Sequence, residues 1–238
     1  MKATVADIFD KDPIFISKFR VFSKAHLISF SLTSLLIFLG TVISYHSISF
    51  SMFYKYFLLY GILVQEIAYK YWSGFTGDQR NLADVFALHM CSCCIALSAL
   101  TLFHFNQISF EVLYFWSLCG ASQALISPDV PFSFPHFRFI QTHISHGMII
   151  ASTVYLLAVE HRAVTSLAFI RVVIITNVYA LFVYFINCYF GTNYMFLNKK
   201  PDSATLLDHL GKWPYYIISL EILLVILFGI AYLPWLFI

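Results

Sequence analysis

The sequence predicts an all-α, polytopic membrane protein: a seven-helix transmembrane bundle with a cytoplasmic N-terminus. The first observation is composition, since 60% of the 238 residues are hydrophobic and only 11% are charged. Soluble domains carry about 25% charged residues. The mean hydropathy of +0.80 agrees with this deficit of charge. The second observation is that the apolar residues form long uninterrupted runs that do not alternate with polar ones, which favours helices over barrel strands.

Composition also excludes other classes. Disorder requires low hydrophobicity and high net charge. The five cysteines all lie within apolar runs, which is not the pattern of a disulfide scaffold. A net charge of +2 provides no basic surface, so we expect no nucleic-acid partner.

Seven runs are long enough to cross a bilayer, for which a helix needs about 20 mostly apolar residues. They cover residues 26–45, 51–73, 84–104, 109–127, 141–159, 169–189 and 214–237. Pro128 follows the fourth run and Pro214 begins the seventh, where the missing N–H costs little. We therefore expect a cytoplasmic N-terminal tail over residues 1–25 and a single membrane domain over residues 26–238.

Lysine and arginine predict the orientation. With the N-terminus inside, eleven of these residues fall on inner segments and three on outer segments. The positive-inside rule then gives N-in and C-out. No cleavable signal pattern precedes the first run, and no targeting signal is evident, so we expect a bacterial plasma membrane.

Polar residues within the runs collect toward the predicted inner ends. Such residues are costly in a membrane and tend to be functional. They could line a cavity open to the inner side, or they could simply favour the inner headgroup zone. They include His26, Gln65, Glu66, His89, Cys91, Gln123, His143, His146, Asn187 and Glu221.

Cys91 and His146 form a possible nucleophile and base, because a thiol needs a base to become a thiolate near neutral pH. On one helix, His89 would point roughly 200° away from Cys91. His146 lies on another run at a similar depth and could reach the thiol. Glu66 or Asn187 could orient the imidazole. Alternatively, Cys91 is only a small buried hydrophobe.

The remaining candidates have plainer explanations. Cys93 and Cys94 are expected to pack, and Cys119 and Cys188 lie in apolar helix. His143 fits a headgroup-level residue at a helix start, although it stays possible as the base.

Metal binding is the weaker alternative. The i, i+3 pair His143 and His146, with His89, His136 and Cys91, supplies enough donors, but no zinc motif is present. We expect no metal and no cofactor. In the aromatic loop before the fifth run, Arg138 could hold a lipid phosphate, or it could snorkel to the interface.

Several motifs occur in one order. They lie at residues 86–92 (Phe-Ala-Leu-His-Met-Cys-Ser), 111–116, 123–129 (Gln-Ala-Leu-Ile-Ser-Pro-Asp), 134–138 (Phe-Pro-His-Phe-Arg), 145–147 (Ser-His-Gly), 177–180, 187, 191–196 (Gly-Thr-Asn-Tyr-Met-Phe), 206–208, 213–214 and 219–221. Over about residues 60–235 the chain resembles the YwaF-like integral membrane family, which is related to the eukaryotic transmembrane protein 164 group. It departs from that pattern at Ala87 and Lys212, where proline is usual, and at His143, where an aromatic is usual.

The resemblance implies a phospholipid acyltransferase that uses a cysteine and a histidine. It implies Cys91 as the nucleophile and His146 as the base, with membrane phospholipid and lysophospholipid as partners. We expect His89 or Asn187 to donate a hydrogen bond to the oxyanion. The expected substrate-binding residues are Glu66, Gln123, His136, Arg138, Asn187 and Glu221. A small-solute transporter or channel and a non-enzymatic membrane scaffold are the alternatives.

Overall fold

The computed structural model describes residues 4–77, 88–200 and 210–237, and this part is 75% helix without strands. Its helices are α1 (Val5–Phe9), α2 (Lys24–His46), α3 (Ile48–Thr76), α4 (Met90–Phe103), α5 (Gln107–Trp116), α6 (Ser122–Ile126), α7 (Phe137–Ala158), α8 (Ala168–Phe190) and α9 (Tyr215–Tyr232). A π turn, Ser117–Ala121, joins α5 to α6, and short 3-10 turns cover Tyr194–Phe196 and Leu233–Leu236.

Four helices are long and apolar enough to cross a membrane: α2, α3, α8, and α9 with its following turn. At most 28% of the most apolar window in each is buried within the protein, so most of these apolar faces are left for lipid. Each of the seven predicted runs overlaps a helix, although residues 84–87 of the third run lie outside the described residues. The count of seven spans and the orientation stay predictions.

The central helix is α7, which packs against α2, α3, α4 and the π turn. Its buried face is unusually polar, and a polar helix surrounded by others does not need the continuous hydropathy of a lipid-facing one. The buried polar residues of α7 are Gln141, Thr142, His143, Ser145, Ser152 and Thr153.

Close helix packing depends on glycine. A Cβ on Gly147 of α7 would lie 2.6 Å from the Cγ2 of Thr33 on α2, and a Cβ on Gly40 would lie 2.4 Å from the ring of Tyr54 on α3. Both distances are too short for real atoms. The absence of these side chains therefore sets the spacing of α2 from its two neighbours.

The π turn changes the direction of the side chains that follow it. Its i→i+5 bonding inserts one extra residue and turns the rest of the helix about its axis. The Ser117 hydroxyl hydrogen-bonds the Thr153 hydroxyl at 2.7 Å, and Trp116 Nε1 donates to Thr176 Oγ1 at 2.8 Å. These bonds attach the turn to α7 and α8.

The predicted N-terminal tail is packed onto the bundle where the structure describes it. Trp72 Nε1 donates to the Phe9 carbonyl at 2.8 Å, and His136 Nε2 lies 2.8 Å from the Asp10 carbonyl. Two backbone hydrogen bonds continue this contact, from Phe19 N–H to Pro131 O at 3.1 Å and from Ser133 N–H to Ser17 O at 2.9 Å.

Candidate functional site

The N-terminal half of α7 carries most of the polar side chains. His136 caps this helix, because its Nδ1 accepts the Arg138 N–H at 3.2 Å. Its Nε2–H then donates to the Asp10 carbonyl, so both ring nitrogens are used. His136 is therefore a structural residue that joins α7 to the N-terminal segment, and its ring is fully buried.

Arg138 begins a chain of hydrogen bonds across α7 and α3. Its Nη1 donates to Gln141 Oε1 at 2.5 Å, and Gln141 Nε2 donates to Gln65 Oε1 at 2.9 Å. Gln65 Nε2 ends the chain at the Ile62 carbonyl at 3.0 Å. The guanidinium also lies over the Tyr69 ring, 4.4 Å from its centre. These contacts fix the direction of the Arg138 side chain.

Glu66 follows Gln65 on α3 and lies beside this chain. Its carboxylate is 4.0 Å from Lys70 Nζ, one turn along the same helix. Arg138 is close enough for its charge to act on Glu66. Within the described ranges, no hydrogen bond joins Glu66 to an imidazole, so the expected role of Glu66 in orienting His146 stays a prediction.

His146 has a defined tautomer. Its Nδ1 lies 2.8 Å from the Thr142 carbonyl, which can only accept, so Nδ1 carries the proton and Nε2 carries the lone pair. The ring is half-buried. Thr153, two turns along the same face, contacts Ser117, so this face of α7 is directed toward the π turn.

His143 has a similar tautomer but a different environment. Its Nδ1–H donates to the Phe139 carbonyl at 2.8 Å, and its Nε2 is buried without a hydrogen-bond partner. The ring packs against His26 at 5.8 Å and is only 4% exposed. His143 is thus buried against α2, and its expected position at headgroup level stays a prediction.

His89 corrects one sequence expectation. The helix begins at Met90, so His89 is its N-cap with extended backbone and does not share a helix with Cys91. The roughly 200° separation expected for a common helix therefore does not apply. His89 Nδ1 accepts the Met195 N–H at 3.3 Å, and its ring lies against Tyr194 and Phe196. A neutral His89 consequently carries its proton on Nε2, as a hydrogen-bond donor.

Asn187 holds the turn that contacts His89. Its Oδ1 accepts the Thr192 hydroxyl at 2.8 Å and the Tyr194 N–H at 2.9 Å, and its Nδ2 donates to the Tyr194 carbonyl at 2.9 Å. Met195 and Phe196 have φ of 55° and 56°, which is unfavourable for residues with a side chain. The Asn187 bonds offset that cost, and they use one of the two N–H groups of the amide that is a candidate oxyanion donor.

The cysteines divide by their contacts. Tyr179 O–H donates to the Leu88 carbonyl at 2.8 Å. The Cys93 sulfur lies 3.0 Å from the Tyr179 hydroxyl oxygen, so the Cys93 thiol must be the donor to that oxygen. Cys119 donates to the Leu227 carbonyl, and Cys188 accepts from Asn198.

The thiols of Cys94 and Cys91 form no hydrogen bond with another described residue. Cys94 is 1% exposed within the core, whereas Cys91, the second residue of α4, is half-buried. In the part of the chain that the structure describes, no hydrogen bond joins Cys91 to His89 or His146.

Two predicted substrate-binding residues lie apart from these clusters. Gln123 is half-buried on α6, beyond the π turn, and its side chain forms no hydrogen bond with any described residue. Glu221 on α9 meets Asn177 of α8 at 3.5 Å. Glu66, His136, Arg138 and His146 therefore lie on or beside the N-terminal half of α7, and the Tyr194–Phe196 turn joins His89 to Asn187.

Sequence reasoning missed Gln141 and the Tyr194–Phe196 turn. Gln141 stands three residues after Arg138, and this helical spacing was a usable signal for a side-chain pair. No local sequence pattern indicates the contact between the Tyr194–Phe196 turn and His89. Among residues 4–77, 88–200 and 210–237, no group of three His, Cys, Asp or Glu side chains is arranged to hold a metal ion.

Long apolar helices around a central helix rich in buried polar side chains define an integral membrane protein. The model of the TMEM164 family matches residues 21–232, and the chain belongs to this family. No curated protein and no solved structure matches the chain.

Proposed function

We propose that the protein is a membrane acyltransferase that moves a fatty acyl chain from a phospholipid to a lysophospholipid through a thioester on Cys91. The observation that carries the proposal is the tautomer of His146, whose Nε2 lone pair is free to accept a proton. The helices that bear the two residues, α4 and α7, pack against each other. Cys91 is the half-buried thiol whose sulfur forms no hydrogen bond with another described residue.

The first half-reaction transfers the acyl group to the enzyme. His146 Nε2 takes the proton of the Cys91 thiol, and the thiolate attacks the ester carbonyl of the donor. Collapse of the tetrahedral intermediate breaks the ester C–O bond, and the departing lysophospholipid oxygen takes the proton from His146. Because no hydrogen bond joins the thiol and the imidazole in the described structure, we assign their contact to the lipid-bound state.

The second half-reaction reverses these roles. The hydroxyl of the acceptor lysophospholipid gives its proton to His146 Nε2 and attacks the thioester carbonyl. The C–S bond breaks, and the Cys91 thiolate recovers the proton. The overall exchange consumes one phospholipid and one lysophospholipid, and it forms one of each.

His89 is the proposed donor to the oxyanion. Its Nδ1 accepts from Met195, so its Nε2–H is directed elsewhere and can bind a developing negative charge. Asn187 acts through the Tyr194–Phe196 turn, as a positioning residue for His89. Direct contact of Asn187 with the substrate stays a prediction.

We also propose seven spans with the N-terminus inside and the C-terminus outside, in a bacterial plasma membrane. The distribution of lysine and arginine supports this orientation. Labelling of single cysteines introduced at residues 46–50 from outside intact cells tests it. Labelling of these positions only from the inside would reverse the orientation.

The direct test is acyl exchange between phosphatidylcholine and lysophosphatidylethanolamine by purified protein in lipid nanodiscs. We expect Cys91→Ala and His146→Ala to abolish exchange, and mass spectrometry of wild-type protein to find an acyl group on Cys91. Cys93→Ala is the matched control and should retain activity, because the Cys93 thiol donates to Tyr179. Wild-type exchange by Cys91→Ala would exclude the thioester mechanism.

A further inference from the structure

We infer that a pocket between the N-terminal segment and the start of α7 binds the phosphate group of a phospholipid. The pocket holds about 590 Å³, and one of its lining residues, Arg138, lies on the same helix as His146. The inference rests on the proposed function only in taking a phospholipid as the source of the phosphate. Binding can be measured without turnover, so the two proposals can fail separately.

Three cations from separate parts of the chain line this pocket. Lys11 and Lys18 come from the N-terminal segment, and Arg138 comes from α7. Asp12 and Asp129 also line it and limit the positive charge, which suits one phosphate group better than a polyanion. The other lining residues are Trp72, Pro131, Phe132 and His136.

Among the described residues, no carboxylate forms a direct ion pair with a cation of the pocket. Lys11 and Lys18 form no side-chain hydrogen bond or ion pair with any described residue, and Arg138 uses one guanidinium N–H for Gln141. The cations that pair near the other end of α7 behave differently. Lys55 lies 2.6 Å and Arg162 lies 3.0 Å from Glu160.

Arg138 is thus a half-buried guanidinium whose remaining donors have no carboxylate partner within the described ranges. A phosphate oxygen pair fits such donors bidentately.

The pocket is built before any ligand arrives. The bonds from Trp72 to Phe9 and from His136 to Asp10 anchor the backbone just ahead of Lys11. The Gln141 bond and the Tyr69 ring fix Arg138. Arg138, which is held in place, loses little conformational freedom when it binds an anion.

The position of the pocket connects it to the proposed chemistry. Arg138 is close enough for its charge to act on His146, and Asp129 is close enough for its charge to act on His89. A phosphate bound at Arg138 would therefore lie at the same half of α7 as His146.

The test uses full-length Cys91→Ala protein, which cannot turn over, in a neutral maltoside detergent. Calorimetric titration compares lysophosphatidylethanolamine with monoacylglycerol of the same chain length. We expect the lysophospholipid to bind at least about tenfold more tightly, because a charge-assisted hydrogen bond contributes that much. Equal affinity for the two lipids would overturn the inference.

Variants test which residues make the site. Added to the Cys91→Ala protein, Arg138→Gln, and Lys11→Gln together with Lys18→Gln, should each weaken lysophospholipid binding about tenfold. Arg138→Lys should recover part of the loss. Lys24→Gln removes one exposed charge outside the pocket and is the matched control. Unchanged binding by Arg138→Gln, in protein whose melting temperature is retained, would exclude the site.

Competition identifies the source of the phosphate. Glycerol 3-phosphate and inorganic phosphate are titrated alone and against the lysophospholipid. Weak binding of both supports a lipid headgroup site. Binding of either as tight as that of the lysophospholipid would keep a phosphate site but overturn its assignment to lipid.

Discussion

The carboxylate of Glu111 lies 2.5 Å from the guanidinium of Arg171, and the Glu111 side chain is fully buried. The same carboxylate accepts the N–H of Thr165 at 3.1 Å, the Thr165 hydroxyl at 2.6 Å and the Gln107 amide at 2.9 Å. It therefore joins α5, α8 and the connection before α8 at one point, and each of its donors is close.

Removing this carboxylate should be strongly destabilising. We expect Glu111→Ala to lower the free energy of unfolding by about 3 kcal/mol, because it leaves Arg171 without its partner in a partly buried site. Glu221→Ala is the control, since Glu221 meets Asn177 only at 3.5 Å, and it should change stability by less than about 0.5 kcal/mol. Denaturant titration in detergent measures both. Similar losses for the two variants would contradict the assignment.

A methyl group at Gly147 should push α2 away from α7. We expect Gly147→Ala to cost about 1–3 kcal/mol through overpacking against Thr33. Adding Thr33→Ser removes the clashing Cγ2 and should restore most of the loss. Gly74→Ala is the control, because no atom lies within 4 Å of its new Cβ, and it should be neutral or stabilising. Melting temperatures of the four proteins test this, and failure of Thr33→Ser to rescue would disprove the contact.

Asn187 should affect turnover through His89. We expect Asn187→Ala to lower kcat about tenfold with little change in KM, because the loss of the turn releases the His89 ring. In a variant that already carries His89→Ala, the same change should have almost no further effect on kcat. Asn187→Asp keeps the acceptor for Thr192 and should recover part of the activity. Independent, additive losses would show that Asn187 does not act through His89.

Acid should loosen the N-terminal segment. Burial lowers the pKa of His136, and the Arg138 charge adds to that effect. The unfolded chain therefore binds a proton below about pH 6.5 that the folded chain does not, so stability falls as the pH drops through that value. His136→Asn can keep the cap but cannot titrate. Melting temperatures between pH 8 and pH 5 should fall further for the wild type than for this variant, and parallel curves would refute the role.

The helices were predictable because hydropathy is a local property. Each apolar run predicts the position of a helix from its own residues. Pro214 stands at the start of α9, as expected. The π turn was not predictable, since it depends on bonds from residues 116–117 to α7 and α8. The packing of the N-terminal segment was missed for the same reason. Its partners at Trp72 and His136 lie 63 and 126 residues away along the chain.

The candidate site was predictable in its residues but not in their roles. Sequence selected His89, His146 and Asn187 as polar groups at one depth. Only the backbone contacts show that the lone pair of His146 is on Nε2, whereas the proton of His89 is on Nε2. Lys11 and Lys18 are among the eleven basic residues that predict the orientation. Their closeness to Arg138 was not predictable, because it depends on how the N-terminal segment packs.

The contact between Asp10 and His136 sets an order of assembly. Asp10 leaves the ribosome before His136. Its contact with the bundle therefore cannot form until the loop before α7 has been synthesised. Until then, the segment that carries Lys11 and Lys18 lacks this contact. A segment that is synthesised before α7 thus reaches its final position only after the start of α7 is present.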